Sequence, residues 1–182
     1  MHVRESAALR GGALSADEVE TLYVGLVRTY HAAIVGYIHS MVPVVQQAED
    51  LTQDAFLKAY LALADGEPPD NPRAWLYRIA TNTAIDHIRR SGRLGWVSLD
   101  RLAHLLRGAD TAARVEAAEP LQAALAALAP NDRAILMLFA HAGLRAPEVA
   151  EVLGITPAAA RKRRQRAREA FTRAYREVDG AV

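Results

Sequence analysis

Hydrophobic residues recur along most of the chain at spacings of three and four, which is the repeat of an amphipathic α-helix. The first stripe begins after Ser15, which forms a capping-box signature with Glu18, and it ends near Pro43. Its apolar members are Val19, Leu22, Tyr23, Leu26, Val27, Tyr30, Ile34, Tyr37, Ile38 and Met41. No segment alternates convincingly in the way that a half-buried strand does, so the pattern predicts an all-α fold.

A second amphipathic segment runs from about Val44 to Ala64. The side chains that we expect to face inward are Ala48, Leu51, Ala55, Phe56, Ala59, Tyr60 and Leu63. The acidic and amide side chains that fall largely on the solvent side are Glu49, Asp50, Gln53 and Asp54. The stretch DGEPPDNP that follows predicts a loop, because paired prolines and a glycine break helical geometry.

A third helix is predicted to begin where Asn71 caps the chain and Pro72 takes the first helical position, at which its missing N–H costs nothing. The residues expected on its inner face are Trp75, Leu76, Ile79, Ala80, Thr83 and Ile88. The other side carries a polar stripe formed by Arg78, Asn82, Asp86 and Arg89. This helix therefore offers one face to a core and one to solvent or a partner.

The periodicity weakens after residue 91, which predicts a linker over residues 92–119 with one short helix in WVSLDRLAHLLRG. A second domain is expected from Pro120, with Leu121, Ala124, Leu125 and Leu128 on one face of its first helix. The stretch APEVAEVLGITPAAARKRRQRARE then predicts a helix, a tight turn at Gly154 and a second helix, which is the helix-turn-helix layout. We expect two small helical domains, residues 15–91 and 120–178, preceded by an extension of residues 1–14.

Six of the eight positions from Arg161 to Arg168 are basic. Such a run is often a solvated segment, but its phase relative to Gly154 places it on the second helix of the motif, which normally enters the major groove. The formal net charge is nevertheless only +1, because 21 acidic residues nearly balance 22 basic ones, and the two kinds are segregated, with an acidic block between Pro43 and Asp70. One chain therefore presents an acidic and a basic surface.

Two separate blocks carry a resemblance to a known family. AEDLTQDAFLKAYLAL with NPRAWLYRIATNTAIDHIRR, and LAPNDRAILMLFAHAGLRAPEVAEVLGI, resemble regions two and four of bacterial RNA polymerase sigma factors of the extracytoplasmic-function (ECF) type. The resemblance implies a protein that binds core RNA polymerase, directs it to the minus-ten and minus-thirty-five promoter elements and assists promoter opening.

The resemblance also assigns roles to positions in the first block. The residues that it implies for docking on core polymerase are Asp50, Gln53 and Asp54, where charge complementarity would favour correct pairing. The residues that it implies for the opened minus-ten strand are Arg78, Asn82, Arg89 and Arg90. Trp75 could stack on a base, but its place on the apolar stripe favours a core role.

In the second block, the residues implied for reading the minus-thirty-five element are Arg161, Lys162, Gln165 and Arg166. The chain departs from the family where Arg145 and Ala146 cannot supply the hydroxyl that usually caps the helix before the turn. It departs again at Arg164, which stands where an inward aliphatic residue is expected. A cation there must reach solvent, find a partner or contact phosphate.

The sequence offers little to catalysis. It has no cysteine, its histidines lack metal-ligand spacing, and no phosphate loop or nucleophile motif appears, so we expect no enzyme, no metal and no cofactor. The expected partners are core RNA polymerase, promoter DNA and, as is common in the family, an anti-sigma factor, with no membrane insertion and a cytoplasmic location. The open alternatives are a stand-alone helix-turn-helix regulator and a sigma-like interaction protein without promoter activity.

Overall fold

The computed structural model describes residues 14–42, 44–66, 69–93 and 120–179, and every regular element in these ranges is an α-helix. The helices in chain order are α1 (Ala16–Met41), α2 (Val45–Ala64), α3 (Pro72–Arg93), α4 (residues 120–126), α5 (Pro130–Ala140), α6 (Ala146–Leu153) and α7 (Pro157–Asp179). The all-α prediction is confirmed. Almost all of the predicted extension and linker, including the short helix expected over residues 96–108, lies outside the described residues.

The first turns of α1 and α3 are capped by the residues that the sequence predicts. The Ser15 N–H donates to Glu18 Oε2 over 2.9 Å and the Glu18 N–H to Ser15 Oγ over 3.4 Å, which completes the capping box of α1. At α3, the Ala74 N–H donates to Asn71 Oδ1 over 3.2 Å. Each cap satisfies backbone donors that have no partner within the helix.

Helices α1, α2 and α3 pack against one another around a buried aromatic group. The rings of Tyr37 and Tyr77 meet edge to face with their centroids 5.2 Å apart, and Tyr37 Oη lies 2.8 Å from Thr81 Oγ1. Burial raises the pKa of the Tyr37 phenol, since the charged form cannot be hydrated there. Tyr60, expected inside, is 40% exposed, and its ring meets that of Tyr23 edge to face with the centroids 5.2 Å apart.

Helices α5, α6 and α7 form the predicted helix-turn-helix unit. Gly154 ends α6 with φ at 63°, a left-handed conformation that glycine adopts without steric cost, and the chain turns there into α7. Val149, Ala150 and Val152 are buried beneath the turn. Leu121 of α4, expected on the inner face, is 43% exposed.

The two units share one apolar cluster, because α5 packs on both α1 and α3 while α6 packs on α3. Arg133 of α5 crosses this interface and is only 8% exposed. Its guanidinium donates from Nη1 to the Met41 carbonyl over 2.7 Å and from Nη2 to the Ala126 carbonyl over 2.9 Å. Burial lowers the pKa of Arg133. The cation therefore supplies hydrogen-bond donors to the C-terminal ends of α1 and α4, where carbonyls have no donor within the helix.

This contact predicts the effect of Arg133→Met. The substitution keeps apolar bulk but leaves two carbonyls without donors, so we expect the free energy of unfolding to fall by about 2 kcal/mol in urea titration. Arg89→Met, which replaces an exposed arginine, should change it by less than about 0.5 kcal/mol. A similarly small change for Arg133→Met would contradict the structural role given to this side chain.

Candidate nucleic-acid interface

The outer face of α7 presents the four residues predicted to read duplex DNA. They are Arg161, Lys162, Gln165 and Arg166, and all four are exposed. The face opposite to them carries Ala160 and Ala167, which are fully buried against the rest of the helix-turn-helix unit. Because these alanines lie two turns apart, they form one seam along the inner side of the helix and show which side faces outward.

The start of α7 is held locally. Pro157 opens the helix, and the Ala159 N–H donates to Thr156 Oγ1 over 3.1 Å, which caps the first turn. Further along, Gln165 Nε2 donates to Glu169 Oε1 over 3.2 Å. The amide of Gln165 is therefore engaged on its own helix and has to give up this contact to meet a base.

Two arginines join α7 to α5. Arg163 Nε lies 3.3 Å from Asp132 Oδ1 in a partly exposed ion pair. The Arg164 guanidinium carbon lies 4.6 Å from the centroid of the Phe139 ring, a cation–π contact worth about 0.5–1 kcal/mol at an exposed site. The sequence predicts an inward-facing position for Arg164. Its side chain instead extends toward solvent and contacts the Phe139 ring, so the charge is not buried.

The start of α6 lacks a side-chain cap at Arg145, as the sequence indicates, since a guanidinium has no acceptor atom. Glu148 closes this end from inside the helix, because its Oε2 accepts the Arg145 N–H over 2.9 Å. The same carboxylate faces α3, where its Oε1 lies 3.3 Å from Arg73 Nη1. Glu148 thus stabilises both the turn and the contact with the first unit.

The acidic face of α2 is not covered by the other helices that the structure describes. Asp50, Gln53 and Asp54 are all exposed, and Gln46 Nε2 donates to Asp50 Oδ1 over 3.3 Å. Leu57 and Leu61 continue the same face toward the end of the helix and are 56% and 52% exposed. Sequence reasoning passed over these leucines, although their helical spacing from Asp54 places them on this face.

The polar stripe of α3 carries the four residues predicted for opened DNA. They are Arg78, Asn82, Arg89 and Arg90, and all are exposed. Arg78 is nonetheless engaged, because its Nη2 donates to the Glu151 carbonyl of α6 over 3.0 Å. Arg90 Nε donates to the Asp86 carbonyl over 3.2 Å on its own helix. One end of the stripe therefore lies against the helix-turn-helix unit.

Two known family models match the chain, sigma-70 region 2 over residues 26–94 and sigma-70 region 4 over residues 118–171. The RNA polymerase sigma-H factor of Pseudomonas aeruginosa is 33% identical over 84% of this chain and 86% of its own length. The chain belongs to the sigma-70 family of RNA polymerase sigma factors. The ECF sigma factor SigW of Bacillus subtilis is 27% identical over 86% of this chain and 90% of its own length, which agrees with the predicted ECF type.

The solved structure of CnrH in complex with the cytosolic domain of CnrY is also similar. It matches with a TM-score of 0.59 at 28% identity and covers 93% of this chain and 92% of that one. The sigma factor therefore shares its fold with a protein that has been solved with a bound partner. As a sigma factor, the chain binds core RNA polymerase and recognises promoters in transcription initiation.

Sigma factors are initiation factors, not enzymes. Within the ranges that the structure covers, no three His, Cys, Asp or Glu side chains gather as a metal site requires. None of the helices described in the sigma factor is long and apolar enough to cross a membrane. The residues of the sigma factor that are predicted to bind polymerase and DNA lie on exposed faces of α2, α3 and α7.

Two residues of the sigma factor that the sequence does not single out for this role hold the start of α3 to α6 and to the loop that precedes α6. Arg73 Nη2 donates to the Ala142 carbonyl over 2.7 Å, and Asn71 Nδ2 donates to Glu151 Oε2 over 2.9 Å. The sequence predicts Asn71 only as a helix cap, which it also is. These partners of Arg73 and Asn71 lie 69 and 80 residues away along the chain, so no local pattern could have revealed them.

The pKa of His87, which lies on α3 between Asp86 and Arg89, can be tested. Burial, and then the neighbouring Arg90 cation, lower its pKa. Its imidazole should therefore titrate by NMR with a midpoint below about 6.5, and Arg90→Gln should raise that midpoint. Arg176→Gln, on α7, should leave it unchanged. A wild-type midpoint at or above 6.5 would contradict this environment for His87.

Proposed function

We propose that the three exposed faces divide the work of initiation. The α2 face docks on core polymerase, the α3 stripe holds the opened minus-ten strand, and the α7 face reads the minus-thirty-five duplex. The observation that carries the proposal is the outer face of α7, where four polar or cationic side chains stand opposite a buried alanine seam. Residues 15–91 and 120–178 would then act as the two promoter-binding domains, joined by residues 92–119.

The α2 face suits a basic and partly apolar partner surface. Asp50 and Asp54 can pair with cations, and Gln53 can exchange hydrogen bonds with them. Leu57 and Leu61, on the same face, would bury apolar area in a complex. Acidic rim groups would mainly speed correct encounter, while the leucines would slow dissociation.

The α3 stripe suits single-stranded DNA. Asn82 can meet a base edge with both a donor and an acceptor, while Arg78, Arg89 and Arg90 can neutralise phosphates. Arg78 can do so only after its side chain leaves the Glu151 carbonyl, so binding of this strand would compete with one contact between α3 and α6. Capture of the opened strand would therefore weaken one link between the two units.

The α7 face suits the major groove of duplex DNA. Arg161 and Lys162 can pair with guanine edges, Gln165 with adenine, and Arg166 with a base or a phosphate. The helix is preceded by a tight turn and is exposed along its outer side, as docking into a groove requires. The chain would contribute no reaction of its own, because polymerisation belongs to the enzyme that it directs.

The proposed location is the cytoplasm, because polymerase and promoter DNA are found there. An anti-sigma factor is a proposed further partner, in keeping with the resemblance and with CnrH having been solved in complex with the cytosolic domain of CnrY. Such a partner would need to block a face that core polymerase or promoter DNA uses. The free α2 and α7 faces are the candidates.

Charge reversal tests the α2 face. Asp50→Lys with Asp54→Lys should weaken binding to purified core polymerase by at least about tenfold, since two attractive charges become repulsive. Glu20→Lys, an exposed acid on α1, should leave binding within about twofold. Equal binding by all three proteins in a pull-down titration would exclude this face as the docking site.

Alanine substitution tests the α7 face. If Arg161 reads a base edge, Arg161→Ala should cost about 1–3 kcal/mol and relax preference at one promoter position. Arg176→Ala removes an exposed cation further along the same helix and should preserve the preference. Holoenzyme binding to duplexes that vary at single positions gives both values. Equal losses on every duplex would reduce α7 to an electrostatic contact.

A further inference from the structure

Over the stretch of α7 that carries the proposed reading residues, the inner face consists of small side chains, and the bulky Phe171 packs on the core only beyond it. Ala160 and Ala167 are fully buried, and single methyl groups allow a close approach but interlock weakly with a neighbouring helix. A seam of this kind brings this part of α7 near α5 and by itself fixes the local rotation of the helix only weakly. Contacts at the two sides of the seam can therefore set the rotation beside the reading residues.

Arg163 and Arg164 flank the seam on opposite sides, each displaced from it by roughly 50° at the helical repeat. Arg163 reaches Asp132 in the first turn of α5, with 3.3 Å between Nε and Oδ1. Arg164 reaches Phe139 in the last turn of α5, with its guanidinium carbon 4.6 Å from the ring centroid. The two arginines thus attach the two edges of α7 to opposite ends of one helix.

The proposed reading side chains lie on the far side of the seam. A rotation of α7 by about 20° would sweep a point roughly 6 Å from the axis through about 2 Å, enough to break a hydrogen bond to a base edge. Rotation of α7 therefore decides whether Arg161 and Gln165 meet their bases. Contacts that fix the rotation contribute to selectivity without touching DNA.

We propose that Arg164 is a positioning residue for promoter reading. Its guanidinium, held on the Phe139 ring, sets the rotation of α7 and so aims Arg161, Lys162 and Gln165 at the major groove. The inference rests on the proposed minus-thirty-five function of α7. This positioning role differs from a phosphate contact by Arg164. A guanidinium on the Phe139 ring is held toward α5, so it affects DNA binding only by orienting α7.

The test measures selectivity in the holoenzyme. Full-length chain bound to core polymerase is offered a duplex pool randomised over eight consecutive base pairs, and enrichment of preferred over average sequences is measured by sequencing. Arg164→Leu and Phe139→Leu should each lower this enrichment ratio about threefold, and the double variant should lower it no further. Phe139→Tyr keeps the ring and should restore wild-type selectivity, and Arg176→Leu should leave it unchanged.

Salt dependence separates the two roles of Arg164. A positioning residue predicts that Arg164→Leu and Phe139→Leu leave the slope of log affinity against log salt unchanged. If Arg164→Leu flattens the slope and weakens binding to all sequences while Phe139→Leu does neither, Arg164 is a phosphate contact and the proposal is wrong. The enrichment ratio of preferred over average sequences does not depend on the fraction of folded protein. A modest loss of stability therefore cannot imitate the loss of selectivity.

The same experiment distinguishes this inference from the function on which it rests. If the wild-type holoenzyme enriches no sequence, the minus-thirty-five function of α7 is contradicted and the positioning role falls with it. If the wild type enriches a sequence and both leucine variants enrich it equally well, the function stands and only the positioning role is overturned.

Discussion

A buried cation at the meeting point of three helices organises this molecule. Arg133 leaves α5 and donates to the carbonyls of Met41 and Ala126, the last residues of α1 and α4. Carbonyls at helix ends lack helical donors and carry the negative end of the helix dipole, so a cation there is doubly favourable. The contact ties the second unit to the end of the first helix and helps the two units to share one core.

That packing determines which surfaces stay available. The acidic face of α2 and the basic face of α7 point away from the shared core, whereas the beginning of α3 is covered by α6. Four side-chain donations, from Asn71, from both terminal nitrogens of Arg73 and from Arg78, cross this covered surface. These polar contacts can be exchanged for contacts with DNA or water at a smaller cost than burial of apolar side chains. The covered end of α3 is therefore the natural place for the two units to separate.

Periodicity predicted the helices and their caps because those features depend on residues within a few positions of one another. It also predicted that Arg161 and Gln165 face outward, since the opposite positions are apolar. Periodicity could not identify what packs on each face. Tyr60 and Leu121 belong to apolar stripes but lie at their margins and are exposed. Arg133 reads as an ordinary polar residue in PNDRAILMLFA, and only the approach of α1 and α4 makes it a buried donor.

In the candidate site too, some residues could be predicted from the sequence and others could not. The resemblance and the helical phase identified the polar positions of α2, α3 and α7, and every one of them is exposed. The partner of Arg164 could not be predicted, because Phe139 lies on a different helix at an unrelated point of the sequence. Side chains whose roles depend on tertiary contacts, such as Arg73 and Arg164, need the folded arrangement to be recognised.

The most direct test of this account is run-off transcription by purified core polymerase on genomic DNA from the organism that encodes the chain. With the full chain present, we expect discrete transcripts from defined start sites preceded by shared sequence elements at the spacing of minus-ten and minus-thirty-five. Neither core polymerase alone nor residues 120–182 with core polymerase should produce them. An absence of binding to core polymerase, together with an absence of discrete start sites, would contradict the account.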